Sequence, residues 1–386
     1  MILIYVVLII IQIKELFSLN KFERKKQSIF KRNAIYANNH RNFFNINPIQ
    51  YYISSTLDES KIEEAIQILE SKTCLQFKKQ RQTVYGDKGF NYVKNNECHT
   101  TSGPEYRYKF IEENIYLNDE CSQSVGRILQ LTGQMLGLIS CVKLSNRNKF
   151  VTINEDNLDE KSKNLFNKVD LSVEENYKTS FDFGSGLLYK STQYSKNKNP
   201  VIIPKNSFFY DMMGQEYGLS FNDYKVLNNF YCSSNCINKP NICLNGGYLN
   251  PNNCRECLCS NGYGGIFCHI GASKDAKCLG DFILVSPNFV KNINLKGKMT
   301  CSYAISSSFK TKIKIKVISV FTEVYSPCYE KMGLEVKYFA DQGATGLCLC
   351  GKFDNITLIS ETNIIMIEYN GMEDNNYVNI ELKQII

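Results

Sequence analysis

Residues 2–11 form an almost unbroken apolar run. That is about the length of a signal-peptide core and too short to span a bilayer. Polar Asn- and Lys-rich sequence follows, which argues against a buried N-terminal strand. Regular patterning begins at Tyr51-Tyr52-Ile53, a short strand signal. Ile62, Ala65, Ile66 and Leu69 then recur at helical spacing, and Ser60-Lys61-Ile62-Glu63 fits a capping box at that helix's start. A second helix is predicted from about residue 122 to 136, with Val125, Ile128, Leu129, Thr132 and Leu136 on a core-facing side. Gly137 is placed to end it through a left-handed turn. The same helix presents Gln130 and Gln134 together, because residues four apart are neighbours.

Between Cys232 and Cys278 the periodicity fades while cysteines and glycines become frequent. A small domain held by bridges rather than by a core has that texture. Beyond Cys278 the period changes to two. Ile313, Ile315 and Val317 alternate with Lys312, Lys314 and Lys316, which gives one buried and one wet face. Further strands are predicted around residues 334–338, 364–369 and 377–382, and their spacing suggests an all-β sandwich. Three domains are expected.

A length of 386 residues agrees, being too long for one core at roughly 100–200 residues per domain. The 16 cysteines point to an exported, oxidising setting. Residues 1–18 are therefore expected to be a signal peptide ending near Ser18, although a basic n-region is missing. Residues 19–32 then form a short basic pro-segment ending in Lys31-Arg32, a dibasic pair that suits a processing protease and equally suits a solvated charge run. Of the net charge of +7, +5 sits in residues 1–32, which leaves +2 on the remainder. So small a balance gives no electrostatic case for nucleic acid or an anionic membrane as partner. No later segment is long and apolar enough to span a membrane, so a soluble mature protein is expected.

Over residues 33–232 a series of ordered features carries a resemblance. Asn33-Ala34-Ile35 follows the dibasic pair, and Thr73-Cys74-Leu75-Gln76-Phe77 follows the first helix. Cys121-Ser122-Gln123-Ser124-Val125-Gly126 leads into the second helix. Phe150-Val151-Thr152-Ile153-Asn154 follows it, and Asn157-Leu158 comes next. Met213-Gly214-Gln215, Gly218-Leu219-Ser220, Asp223 and Asn228 through Tyr231-Cys232 complete the series. Taken together this resembles the astacin family of zinc endopeptidases. The resemblance implies an α+β metzincin-type domain.

Metzincins hold zinc through H-E-x-x-H-x-x-G-x-x-H, with the glutamate as general base. In the register of the resemblance, Gln130, Gln134 and Ser140 stand at the ligand positions, Leu131 at the base and Gly137 at the turn. Neutral amides and a hydroxyl are poor zinc ligands beside imidazole, and leucine takes no proton. His40, His99 and His269 are the chain's only histidines and read as surface residues. Cys141 replaces the family's next glutamate. The Met-turn reads Ser185-Gly186-Leu187-Leu188-Tyr189, which keeps the family tyrosine as Tyr189 and loses the methionine. Neither a catalytic residue nor a metal is therefore expected. Gln130 and Gln134 are read as polar helix residues lining a leftover cleft.

The resemblance also implies the pairs Cys74–Cys232 and Cys98–Cys121. Residues 233–270 look like an EGF-like module, whose order implies Cys236–Cys254, Cys243–Cys257 and Cys259–Cys268; sequence alone leaves fifteen connectivities open. Residues 278–386 resemble a CUB domain, for which Cys278–Cys301 and Cys328–Cys350 fit. Cys141 and Cys348 are left over, as free thiols, as a mutual pair or as a bridge between chains. Asn355-Ile356-Thr357 is a glycosylation sequon. The expected function is that of a secreted pseudoprotease that binds an extracellular protein or peptide. The rival reading is an active zinc endopeptidase with unusual ligands.

Overall fold

The computed structural model describes residues 44, 47–101, 112–169, 179–278 and 280–386. The expected signal peptide, the pro-segment, the Asn33 start and His40 lie outside them. Strand β1 (Ile49–Ile53) turns Ile49, Tyr51 and Ile53 inward. It pairs in parallel with β2 (Phe77–Lys79) and β3 (Gly89–Lys94). Beyond β3 the sheet continues through β5 (Asn114–Leu117), and β4 (His99–Thr100) closes its edge antiparallel.

Helix α1 (Glu59–Lys72) buries Ile62, Ala65, Ile66 and Leu69, the face its spacing predicts. Its cap differs from the expected one. Asp58 is the N-cap and accepts from the Ser60 N–H at 2.9 Å, so Ser60 already lies inside the helix and no capping box forms at Glu63. A carboxylate at the N-cap both accepts this bond and suits the positive end of the helix dipole. Glu63 instead pairs with Lys79 of β2 at 2.8 Å.

Helix α2 (Val125–Met135) starts later than its pattern predicts, because Asp119–Ser122 forms a separate turn capped by Asn118. Ser124 caps α2 by accepting from the Arg127 N–H. Gly137, at φ +101°, turns the chain away, a conformation open to glycine at little cost. The helix is buried on nearly all sides, Leu131 and Met135 included. One side faces the sheet, where the Tyr92 hydroxyl meets Thr132 Oγ1 at 2.8 Å.

The following half contains the hairpin of β6 (Val151–Ile153) with β7 (Ile202–Pro204), then helix α3 (Phe221–Tyr231). Here a reciprocal capping box does form, between Ser220 and Asp223. A bridge-held segment follows. It comprises β8 (Tyr248–Asn250), β9 (Asn253–Leu258), β10 (Tyr263–Gly264) and β11 (Ile270–Gly271). Disulfides Cys236–Cys254, Cys243–Cys257 and Cys259–Cys268 cross it. Cys74–Cys232 and Cys98–Cys121 tie the first half together. Cys278–Cys301 and Cys328–Cys350 lie in the last region, while Cys141 and Cys348 are unpaired.

That last region packs two sheets. Its strands are β12 (Phe282–Leu284), β13 (Lys291–Lys296), β14 (Met299–Ser306), β15 (Lys312–Phe321), β16 (Gly333–Lys337), β17 (Leu347–Leu349), β18 (Lys352–Ile359), β19 (Ile364–Gly371) and β20 (Tyr377–Ile385). The orders are β12-β14-β19-β16-β17 and β13-β20-β15-β18. In β15 Ile313, Ile315 and Val317 turn inward and Lys312 and Lys314 face water as alternation predicts, while Lys316 is partly buried.

Alternation fails in β16, where every residue is buried. The outer face of its sheet is covered by the bridge-held segment. Asn261 Nδ2 donates to Glu335 Oε2 at 2.7 Å and to Glu368 Oε1 at 3.0 Å. Lys337, beside Glu335 at 3.3 Å, supplies the positive charge that two buried carboxylates need. One apolar cluster then runs from Val142, Phe181, Phe209 and Met212 into Val336, Leu349 and Tyr369. The second half of the α/β region and the sandwich share a core.

Candidate functional site

Helix α2 carries three of the positions singled out from sequence, and each is held differently. Gln130 is buried at 5% exposure. Its Nε2 donates to the Gln215 carbonyl at 2.7 Å, and its Oε1 accepts from Arg127 Nη1 at 3.1 Å. Leu131 is buried in the apolar cluster that links α1, α2 and the sheet. Gln134, one turn after Gln130, is partly exposed. The two amides thus do not act alike: Gln130 is buried and bonded to the 215–218 turn, whereas Gln134 is partly exposed.

That approach requires glycine at Gly126, where a Cβ would stand 1.9 Å from the Glu216 carbonyl oxygen. The turn is braced internally. Gln215 Nε2 donates to the Gly184 and Gly218 carbonyls, and its Oε1 accepts from the Tyr217 and Gly218 N–H groups. Glu216 lies 3.3 Å from Lys190 and 3.9 Å from Arg127. The position of the first zinc ligand in the resemblance therefore borders a partly exposed cluster of two cations and one anion.

Ser140 is buried, and its Oγ makes no hydrogen bond. Cys141 beside it lines a cavity of about 20 Å3 together with Leu138, Asp182, Asn222 and Asp223. Burial, and then the nearby Asp223 and Asp182 carboxylates, push the Cys141 thiol up to about 12. A thiol held protonated in this way, though only partly buried, is a poor nucleophile and a poor ligand at neutral pH.

Asp223 of α3 positions the 185–189 turn. Its Oδ2 accepts from the Gly186 N–H at 2.9 Å and the Ser220 N–H at 2.9 Å, and Ser185 Oγ donates to its Oδ1 at 2.8 Å. Burial and the neighbouring Asp182 nonetheless raise its carboxyl to about 6. The turn delivers Leu187 into the α2 cluster and Leu188 into the core shared with the sandwich. Tyr189 packs edge-on against Tyr194, with ring centroids 5.1 Å apart, and lies 5.8 Å from the Phe166 ring. Burial raises its phenol far above the ordinary value.

His99 is exposed and packs against the Tyr116 ring, with centroids 4.7 Å apart and planes tilted by 32°, and His269 is exposed in the bridge-held segment. Among the described residues, no three His, Cys, Asp or Glu side chains converge to hold a metal. Sequence reasoning passed over Arg127, although a basic residue three before Gln130 on the same helical face was the available signal. It also passed over Asp182, whose Oδ1 accepts from the Gly184 and Thr345 N–H groups.

A sheet of parallel strands with one antiparallel edge, a helix ended by a glycine turn, and a buried 185–189 turn beneath it define a metzincin-type peptidase domain. The model of the astacin peptidase family matches residues 36–232, and the chain belongs to that family. It is 28% identical over 330 residues to zinc metalloproteinase nas-34 of Caenorhabditis elegans, covering 84% of this chain and 53% of that protein. With zinc metalloproteinase nas-23 of the same organism the identity is 32% over 322 residues, covering 81% and 58%. The chain thus spans about half the length of these curated relatives. High choriolytic enzyme 1, a hatching enzyme zinc-protease from Oryzias latipes, aligns with a TM-score of 0.40 at 26% identity, over 47% of this chain and 87% of that one.

Proposed function

We propose that this chain is a secreted astacin-family protein that works by binding an extracellular protein or peptide rather than by hydrolysing one. The observation that carries this reading is the state of Gln130. Both ends of its amide are used, and the group using Oε1 is a guanidinium. A zinc ion bound at Oε1 would have to compete with the Arg127 hydrogen bond and stand beside that fixed positive charge. Leu131 offers no proton acceptor, and Ser140 and partly exposed Gln134 are weak donors to zinc. The residues present do not fit the family's metal, so no hydrolytic step is derived through one.

The bridge-held segment at 233–270 and the sandwich at 278–386 are read as EGF-like and CUB-like modules. Their bridges and strand orders support that reading, and modules of this kind offer the surfaces a non-catalytic protein would use. The seven disulfides support export. Among the described residues, no helix is long and apolar enough to cross a membrane. Metal analysis of the purified chain, together with a peptide-hydrolysis assay, tests the proposal. The expected result is no stoichiometric zinc and no chelator-sensitive cleavage. One zinc per chain with chelator-sensitive proteolysis would establish the rival reading, an active zinc endopeptidase.

A further inference from the structure

We propose that one pole of the C-terminal sandwich docks on the surface of an anionic lipid bilayer. Strand register places the pole. Leu284 pairs with Ser306, Ser306 with Ile364, Lys312 with Ile385, and Lys314 with both Ile359 and Lys383. The end of β12, the start of β13, the β14–β15 loop and the end of β18 therefore meet at one end of the fold. At that end large apolar side chains stand in water. Phe289 is 75% exposed, Phe309 68% and Leu284 65%, with Val290 and Ile359 about half exposed. Single exposed hydrophobics need no explanation, but several on adjoining loops form a patch of the kind that marks an interaction site.

The charges around the patch select the partner. Lys291, Lys310, Lys312, Lys314 and Lys383 are exposed at the same end, and Lys310 Nζ lies 5.8 Å from the Phe309 ring centroid. The sequence from 282 to 322 has no acidic residue. Of the nearby carboxylates, Glu361 accepts from the Ala340 N–H at 2.7 Å, and Glu381 sits opposite Lys316 in the sheet. Exposed aromatic and aliphatic side chains ringed by lysines match the interface of an anionic membrane, where the rings enter the headgroup layer and the ammonium groups stay at its surface. The near-neutral balance of residues 33–386 hides this local concentration.

Sedimentation of the full chain with phosphatidylcholine vesicles, with and without phosphatidylserine, tests the proposal. Binding is expected only with phosphatidylserine and is expected to weaken as salt rises. Phe289→Ser and Phe309→Ser should each lower partitioning by about tenfold. Lys310→Gln and Lys312→Gln should each lower it about fivefold. Unchanged near-ultraviolet circular dichroism confirms that the variants fold, since all four side chains are exposed. Absence of phosphatidylserine-dependent binding overturns the proposal, as does binding that the substitutions leave untouched. Self-association without vesicles that these same substitutions abolish would assign the patch to a second copy instead.

Discussion

Arg127 Nη1 lies 3.1 Å from Gln130 Oε1, so a guanidinium faces the helix position that carries the first zinc ligand in the family's motif. Restoring the motif with Gln130→His, Leu131→Glu, Gln134→His and Ser140→His would leave that charge in place. Zinc should bind weakly to such a variant, and adding Arg127→Thr should raise its affinity at least about tenfold, since a dication and a cation a few ångströms apart repel by ~1 kcal/mol or more even when well solvated. Competition against a chromophoric chelator measures both variants. Equal affinities would show that the arginine is not the obstacle.

Asp223 predicts the sign of a pH effect. Its folded carboxyl titrates near 6, against an ordinary value of 3.8, because of burial and then Asp182. Between those values the folded state holds the extra proton. The contribution is therefore full below about pH 4 and is lost as pH rises through 6, by up to ~3 kcal/mol. Urea titrations should show the native chain losing stability as pH rises from about 4 to 7 while Asp223→Asn, which carries no titrating group there, does not, so the two are most alike at acid pH and separate toward neutrality. A gap independent of pH would mean that Asp223 does not titrate in that range.

Much of this architecture was legible from short-range pattern. The spacing of Ile62, Ala65, Ile66 and Leu69 marked the buried face of α1, and Gly137 marked the end of α2. Period two marked β15. Legibility stopped where distant chain decides the environment. β16 is buried throughout because Asn261, over 70 positions away in sequence, covers its outer face. The same limit hid the pairing of Gln130 with Gln215.

Local competition misled as well. Ser60 looked like a cap, but Asp58 stood two residues earlier with a stronger acceptor. Asp58→Ala should therefore cost about 1 kcal/mol in chemical unfolding. Ser60→Ala should cost less than about 0.5 kcal/mol, as an ordinary exposed substitution does. The reverse order would reinstate the capping box.

The shared core makes a prediction about cooperativity. The Phe209 ring stacks on Phe339, with centroids 5.7 Å apart and planes 14° from parallel. The Cys348 N–H reaches Met212 Sδ at 3.2 Å, and Thr345 N–H reaches Asp182 at 3.1 Å. At Gly184 a Cβ would stand 2.2 Å from Thr345 Oγ1, so the two surfaces fit closely. A chain ending at residue 277 would leave Phe209 and Met212 in water, and it should aggregate or lose its near-ultraviolet signal. The full chain should unfold in one transition, with tyrosine fluorescence and near-ultraviolet circular dichroism coinciding. Phe209→Ala should cost about 3–5 kcal/mol and move that whole transition, because its ring is packed from both sides. If the variant instead splits the curve, leaving a later step at the native midpoint, the sandwich folds independently of the peptidase-like domain and the common core is not a cooperative unit.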